Sequence, residues 1–342
     1  MEINVYPHLS SARSMARYAS GLIPALNQAG LAPHVIGSTE NLSFWNRYPG
    51  YLLKAIGAGS FGNLILSERF SFLLTVMAKR RTVVVCHDLV TLHYKKQSFV
   101  NKLWYKTQLW FMSRARLIVC ISESTRTDLL RFVPGIDPEK IKVIYNGLER
   151  SWNTDVQKHE AENNFETKYE GNKFFLMVGT DAWNKNFQGM IDQLGNINAM
   201  GYRLIKIGAI SPEHLRQIQS AGMEHVVRHE RHVTDDELKW LYQNAEALVF
   251  PSLHEGFGWP PLEAMACGCP VIASDRSSIP EVCGRAALYI DPTNKAKLAK
   301  ALIDVANDAK LRERLIETGV IQARQFTWEN TAENFKRLLA SL

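Results

Sequence analysis

No run of about 18 uncharged apolar residues, the length an α-helix needs to cross a bilayer, occurs anywhere in the chain. The first residues, Met1-Glu2-Ile3-Asn4-Val5, lack the basic start and apolar core of a secretory signal, so the expected location is the cytoplasm. Cysteine is scarce: Cys86, Cys120, Cys267, Cys269 and Cys283 make an odd set in apolar or small-residue surroundings, which argues against a disulfide framework and for reduced thiols. Cys267-Gly-Cys269 has the look of a metal or redox pair. There is no second pair and no histidine cluster at zinc spacing, so no metal is expected.

At 342 residues the chain exceeds what one core usually supports and fits two domains. Hydrophobic content of 46% with 22% charged residues is that of a globular protein. The net charge of +6 is unevenly spread: residues 1 to 160 carry 20 Lys and Arg against 11 Asp and Glu, and residues 161 to 342 carry 20 against 23. A basic first half and a mildly acidic second half suggest that the first half faces something anionic.

Short apolar runs alternate with longer amphipathic ones. Ile3 to Tyr6, Asn63 to Leu66, Thr82 to Cys86, Leu117 to Ile121 and Lys142 to Ile144 read as buried strands, with helices near 12 to 29, 97 to 116 and 124 to 131 between them. Polar residues 153 to 173 interrupt the pattern and read as a linker. The alternation then restarts with Phe174 to Gly179, Leu204 to Ile207, Ala247 to Phe250 and Val271 to Ala273, and Thr234-Asp235-Asp236-Glu237 forms a capping box. The fold class is therefore α/β, with two Rossmann-like domains, each a parallel sheet covered by helices. Such sheets bind ligands at the carboxyl ends of their strands.

One stretch, "HEGFGWPPLEAMACGCPVIASD" (254 to 275), follows such a strand and sets Glu255 and Glu263 eight apart around glycine, aromatic and proline residues. Pro260-Pro261 starts a helix in the positions proline favours. Gly256-Phe257-Gly258 leaves backbone amides with little side-chain cover, suited to a phosphate or a sugar hydroxyl. A carboxylate repels phosphate but accepts hydrogen bonds from paired hydroxyls, so two glutamates flanking this backbone suit two sugars joined by a diphosphate. Taken alone the pair reads as solvated surface charge. The strand placement, paired glycines and double proline favour a ligand site.

"EGFGWPPLE" resembles the Glu-x7-Glu signature of the retaining GT-B glycosyltransferases of family 4, the group 1 glycosyltransferases, and "AMACGCPVIASDRSSIPEVCGRAALYIDP" continues it. The resemblance extends through "VVCHDL" (84 to 89), "VCISESTRTDLL" (119 to 130), "VIYNGLE" (143 to 149) and "FTWENTAENF" (326 to 335). It implies an acceptor-binding domain over 1–160, completed by a C-terminal helix over 328–342 that crosses back to it, and a nucleotide-sugar-binding domain over 170–327, the two facing a central cleft. By position, Glu263 would hold the donor ribose, and Glu255 would contact the donor sugar near the reacting carbon. Gly256, Phe257 and Gly258 would give backbone contacts, with Gly179 and Thr180 also on the donor side. Lys185, in "VGTDAWNKNF", matches the lysine that neutralises the donor diphosphate, a role that removes the need for a metal. His87 and Asp88 match the His-Asp pair at the cleft face of the first domain. Glu255, His87 and Lys185 are the expected catalytic residues.

The sequence departs from the family pattern in two places. The glycine-rich loop after the first strand is missing, and Ser10, Ser11, Arg13 and Ser14 are left to offer hydroxyls, amides and one charge to phosphate or acceptor. The arginine that commonly precedes the diphosphate lysine is also absent; Thr180 and Asn184 stand in that region, and compensation falls to Arg13, Arg231 or another basic residue.

The expected reaction is retaining transfer of a hexose from a nucleotide sugar to a glycan or polyprenyl-diphosphate-linked acceptor in cell-surface polysaccharide synthesis. It would proceed by metal-independent front-side substitution and use no cofactor. "VGT…KN" is similar to bacterial mannosyltransferases, which makes GDP-mannose the first expected donor and a UDP-hexose the next. Residues 93 to 116 interleave Lys95, Lys96, Lys102, Lys106, Arg114 and Arg116 with Phe99, Trp104, Trp110 and Phe111, as suits peripheral contact with an anionic inner membrane; the plain alternative is an amphipathic helix packing its aromatics on the sheet. No nucleic-acid motif occurs, so no nucleic-acid partner is expected. A GT-B nucleotide-sugar epimerase and a non-catalytic nucleotide-sugar-binding scaffold are the alternatives.

Overall fold

β-branched and aromatic runs assemble two fully parallel six-stranded sheets in a computed structural model, which describes residues 1–7, 13–37, 52–53, 55–56, 62–94, 96, 98–152, 169, 171 and 173–342. The first sheet is built from β1 (Glu2–Tyr6), β2 (Ala32–Val35), β3 (Gly62–Ile65), β4 (Thr82–Cys86), β5 (Leu117–Cys120) and β6 (Ile141–Val143), in the order β2-β1-β3-β4-β5-β6. The second holds β7 (Phe174–Val178), β8 (Arg203–Ile207), β9 (Val227–Glu230), β10 (Ala247–Phe250), β11 (Val271–Ser274) and β12 (Leu288–Ile290), in the order β12-β11-β10-β7-β8-β9. Central strands are buried on both faces, as in β4 and β10, which explains their unbroken apolar sequences.

Strand order reverses between β1 and β3 in one sheet and between β7 and β10 in the other. At such a reversal the following helices go to opposite faces and leave a crevice beyond the strand ends. The residues that follow β7 and β10 are therefore held where the second sheet offers room for a ligand.

The chain divides into two compact units, Met1–Glu149 with Phe326–Leu342, and Arg150–Gln325. Of the expected linker 153–173, only Tyr169, Gly171 and Lys173 are among the described residues. Each unit has its own core: Ile65, Val84, Ile118 and Leu109 in the first, and Phe175, Leu204, Val249 and Ile272 in the second. All five cysteines are free and buried. Among the described residues no helix is long and apolar enough to cross a membrane.

The first unit is closed by the returning chain. Leu148 N–H donates to the Phe326 carbonyl at 3.0 Å, the Thr331 hydroxyl donates to the Tyr145 carbonyl at 2.9 Å, and the Trp328–Ala340 helix packs on the Arg13–Gln28 helix. Trp328 occupies the space above Gly21, where a Cβ would collide with its indole, and meets the Tyr18 ring edge-on at 5.5 Å. Arg17 of the Arg13–Gln28 helix forms a forked pair with Glu149, its Nη2 2.7 Å from Oε2. This pair ties the "VIYNGLE" turn to the same helix.

Candidate functional site

β7 is followed by Gly179, whose φ of +135° is open to glycine and strained for any other residue, and the chain turns into a loop. That loop is sewn to the one after β10. Asn184 Nδ2 donates to the His254 carbonyl at 3.0 Å, Leu253 N–H donates to the Asn184 carbonyl at 2.7 Å, and Asn186 Nδ2 donates to the Pro251 and Pro292 carbonyls at 3.1 and 2.8 Å. Asn186 sits in the left-handed region at φ 54°, which asparagine tolerates better than most residues. Two side-chain amides and one backbone hydrogen bond thus hold the two loops together.

Lys185 and Glu255 meet where the two loops meet. Lys185 Nζ donates to Glu255 Oε1 at 2.7 Å, with 19% and 11% of the side chains exposed. The lysine stem packs against Gly179, and its ammonium lies 5.1 Å from the centre of the Phe250 ring. Glu255 is fixed from behind as well: its N–H donates to Ser277 Oγ at 2.9 Å, and Ser278 Oγ donates to the Glu255 and Phe257 carbonyls at 3.0 and 2.7 Å. A charge pair this enclosed costs desolvation on both sides, so removing one partner leaves the other exposed to that cost.

Gly256, Phe257 and Gly258 are buried and lead into the Trp259–Ala266 helix, with Gly258 at φ 116° as its N-cap. Glu263 lies on that helix, 4% exposed, and its Oε2 accepts the Tyr242 hydroxyl at 2.8 Å. Burial, reinforced by the adjacent Glu263 charge, pushes the Tyr242 phenol well above its ordinary range, so it stays a donor. Both glutamates are therefore built into the structure and are not solvated surface charges. Thr180 is exposed, and so is Arg231, in the turn after β9.

The structure brings together Gly179, Lys185, Glu255 and the Gly256-Phe257-Gly258 turn at the strand-order reversal of the second sheet, with Glu263 on the helix that follows. In the first unit His87 and Asp88 follow β4. His87 is 4% exposed, its Nε2–H donates to the Leu66 carbonyl at 2.7 Å, and its ring meets Tyr18 edge-on at 4.6 Å. Asp88 Oδ1 accepts Val90 N–H at 3.1 Å and so starts the Val90–His93 turn. Ser10 and Ser11 lie outside the described residues; Arg13 and Ser14 belong to the Arg13–Gln28 helix, but their side chains lie outside the described residues as well.

Several residues at these sites carry no sequence signal. Tyr242 and Ser278 act through contacts with residues more than 20 positions away. Glu68, after β3, is buried under His87: its Oε2 accepts His87 N–H at 3.2 Å, and the Tyr105 hydroxyl approaches Oε1 at 3.4 Å. Burial, aided by nearby Asp88, pushes the Glu68 carboxyl up to about 7, and burial lowers the His87 imidazole.

A carboxyl held protonated by the fold contributes stability that is intact below its ordinary value of 4.5 and is lost as pH rises through about 7. His87 acts in the opposite sense, its contribution lost as pH falls below 6.5. Glu68→Gln is expected to remove the loss on the alkaline side. Between pH 5 and 8 the stability difference should move in the variant's favour by on the order of 2 kcal/mol, read from urea unfolding at each pH. A difference that does not change with pH would show that Glu68 holds no proton.

Comparison with known proteins bears on both units. A family model described as "Glycosyl transferases group 1" matches residues 158–321, and one described as "Glycosyltransferase Family 4" matches residues 15–152. The O-antigen chain mannosyltransferase RfbU of Salmonella typhimurium is 30% identical over 284 residues, 80% of this chain and 75% of that protein. The serotype-specific mannosyltransferase WbdA of Escherichia coli is 28% identical over 277 residues, 76% of this chain but 34% of WbdA, so the chain spans about a third of that relative's length. Among solved structures, Anabaena HepE in complex with UDP and glucose superposes with a TM-score of 0.76 at 16% identity, covering 100% of this chain and 99% of that one. The sucrose-phosphate synthase of Thermosynechococcus elongatus gives 0.75 at 18%, covering 100% and 98%.

Proposed function

The chain belongs to the family 4, group 1 glycosyltransferases of GT-B fold, and on that premise we propose that it transfers mannose from GDP-mannose, with retention and without a metal, to a glycan or polyprenyl-diphosphate-linked acceptor in cell-surface polysaccharide assembly. The observation that carries this reading is the Lys185–Glu255 pair at adjacent strand ends, with Glu263 buried on the next helix. The relatives named as mannosyltransferases supply the sugar and the class of product.

In this reading the Lys185 ammonium leaves its share of Glu255 for the donor diphosphate and stabilises the charge that grows on the departing nucleotide, the part a metal would otherwise take. Glu255, held by Ser277, supports the sugar as positive charge develops on its ring. Retaining hydrolases place a carboxylate nucleophile on the far side of the sugar. Here the acceptor approaches on the side from which the diphosphate leaves, and the leaving phosphate takes the acceptor's proton. Glu263 accepts from the ribose hydroxyls, its far oxygen fixed by Tyr242.

The acceptor side belongs to the first unit, where the Phe99–Met112 helix buries Tyr105, Gln108, Leu109 and Met112 and exposes Phe99, Val100, Leu103, Trp104 and Trp110. Arg114 stacks over Trp110 at 3.5 Å. An exposed aromatic face with arginine and lysine beside it suits peripheral contact with anionic lipid.

One experiment tests the whole reading: purified protein, anionic vesicles carrying a polyprenyl-diphosphate-linked glycan, and GDP-mannose or UDP-glucose, with and without EDTA. Mannose should enter the lipid fraction from GDP-mannose with its anomeric configuration kept, unaffected by chelation, and the protein should sediment with the vesicles. Loss of transfer in EDTA would overturn metal independence. Conversion of donor to an epimer without acceptor would make the protein an epimerase, and binding without turnover would make it a scaffold.

A further inference from the structure

β8 buries four of its five residues, and its sequence Arg-Leu-Ile-Lys-Ile places Lys206 where the pattern calls for an apolar side chain. Lys206 is fully buried. An ammonium in such a place costs several kcal/mol unless its protons are taken up. Its Nζ donates to the Gly179 carbonyl and, at 2.9 Å, to the Ile207 carbonyl. These are the carbonyls at the carboxyl ends of β7 and β8, adjacent strands in the sheet.

Strand ends turn carbonyl oxygens toward whatever sits beyond them, and a bare carbonyl repels an anion. Lys206 takes up the Gly179 oxygen from within the sheet; the Ile207 oxygen that it also meets already accepts Gly179 N–H at 3.1 Å. The local backbone is shaped around this contact: Gly179 turns at φ +135°, and at Gly208 a Cβ would collide with the Gly179 oxygen. Thr180, the next residue along the turn, is exposed and uncharged.

We propose that Lys206 is a positioning residue for the donor diphosphate: it holds the Gly179 turn by its carbonyl and supplies, from beneath, the second positive charge that Thr180 does not. This inference rests on the nucleotide-sugar reading of the site. The charged and titratable groups around it are Asp181 and Lys185 on the loop after β7, His214, which contacts Asp181 at 2.7 Å, and His229 on β9, whose Nε2 lies 2.8 Å from the Gly208 carbonyl. Burial lowers the Lys206 ammonium to about 8, with Asp181 opposing and Lys185 adding to the shift. A diphosphate brought near should raise it again, so binding at alkaline pH should draw a proton from solution.

The test is calorimetric binding of GDP, with UDP in parallel, and of the phosphate-free nucleosides, to wild type, Lys206→Met and Lys206→Arg, at pH 7 and 8.5 in buffers of different ionisation enthalpy. Wild type should take up protons on binding diphosphate at pH 8.5 and bind more weakly there than at pH 7. Lys206→Met should bind diphosphate roughly tenfold more weakly at pH 7, show no such uptake and leave nucleoside affinity unchanged; Lys206→Arg should recover part of the affinity. Equal losses for diphosphate and nucleoside, or an unaltered pH response in Lys206→Met, would overturn the inference. The wild-type proton count tests it without any variant. If wild type binds no nucleoside diphosphate, the nucleotide-sugar reading itself fails, and this inference with it.

Discussion

Replacing Lys185 with methionine is expected to lower the kcat of sugar transfer by about 10²- to 10³-fold, the usual loss when one preorganised partner of a developing charge is removed. Methionine keeps the length that packs on Gly179 and Phe250, so the defect should be electrostatic. Glu255→Gln separates two effects that the lysine change combines. In the native protein the Lys185 ammonium is engaged with Glu255 at 2.7 Å. Neutralising the glutamate releases it, so nucleoside diphosphate should bind at least as tightly while transfer falls. Steady-state kinetics and binding calorimetry on both variants decide the matter. A Lys185→Met enzyme with kcat within threefold of the parent would remove the lysine from the chemistry.

The second large effect is expected on stability. Gly147 lies under the returning chain, where an added Cβ would run into the Trp328 backbone nitrogen and Cα and the Thr327 carbonyl carbon. Main chain cannot move aside by changing rotamer, so Gly147→Ala should reach the upper end of overpacking costs, about 3 kcal/mol. That corresponds to a fall in Tm of roughly 6 to 12 °C. Gly195 makes the opposite case: it lies inside the Leu194–Ala199 helix, nothing stands within 4 Å of its added Cβ, and Gly195→Ala should raise stability by up to about 1 kcal/mol. Differential scanning calorimetry reads both. Equal Tm values for the two variants would mean that the returning segment is not seated against Gly147.

The sequence pattern located the central strands well and the edges poorly. Thr82 to Cys86 coincides with β4, because a strand covered on both faces needs an unbroken apolar run. β2 and β9 had no such run and β12 only a short one, and all three are edge strands; the fourth edge, β6, is marked by Val143-Ile144. β2 reads Ala-Pro-His-Val, with three of its four residues exposed and a proline that suits an edge position. β9 reads Val-Arg-His-Glu, and β12 has three residues. The same contrast holds at the site. Lys185, Glu255 and Glu263 stood out because motif spacing and strand ends mark them. Tyr242, Ser278 and Glu68 did not, because each acts through a contact between segments far apart in sequence, which no local period encodes. Lys206 was hidden for another reason: within a short apolar strand a single lysine reads as an interruption, and its meaning comes from the two carbonyls it meets.

The first unit is assembled from the two ends of the chain, 1–149 and 326–342. A ribosome delivers those ends in order, with the whole of the second unit emerging between them. At 5 to 20 residues per second, the face of the Arg13–Gln28 helix that receives Trp328 waits roughly 15 to 60 s before its cover is made. During translation the second unit is therefore free to finish folding first, while Tyr18 and its neighbours form an apolar surface that nascent-chain chaperones have time to find.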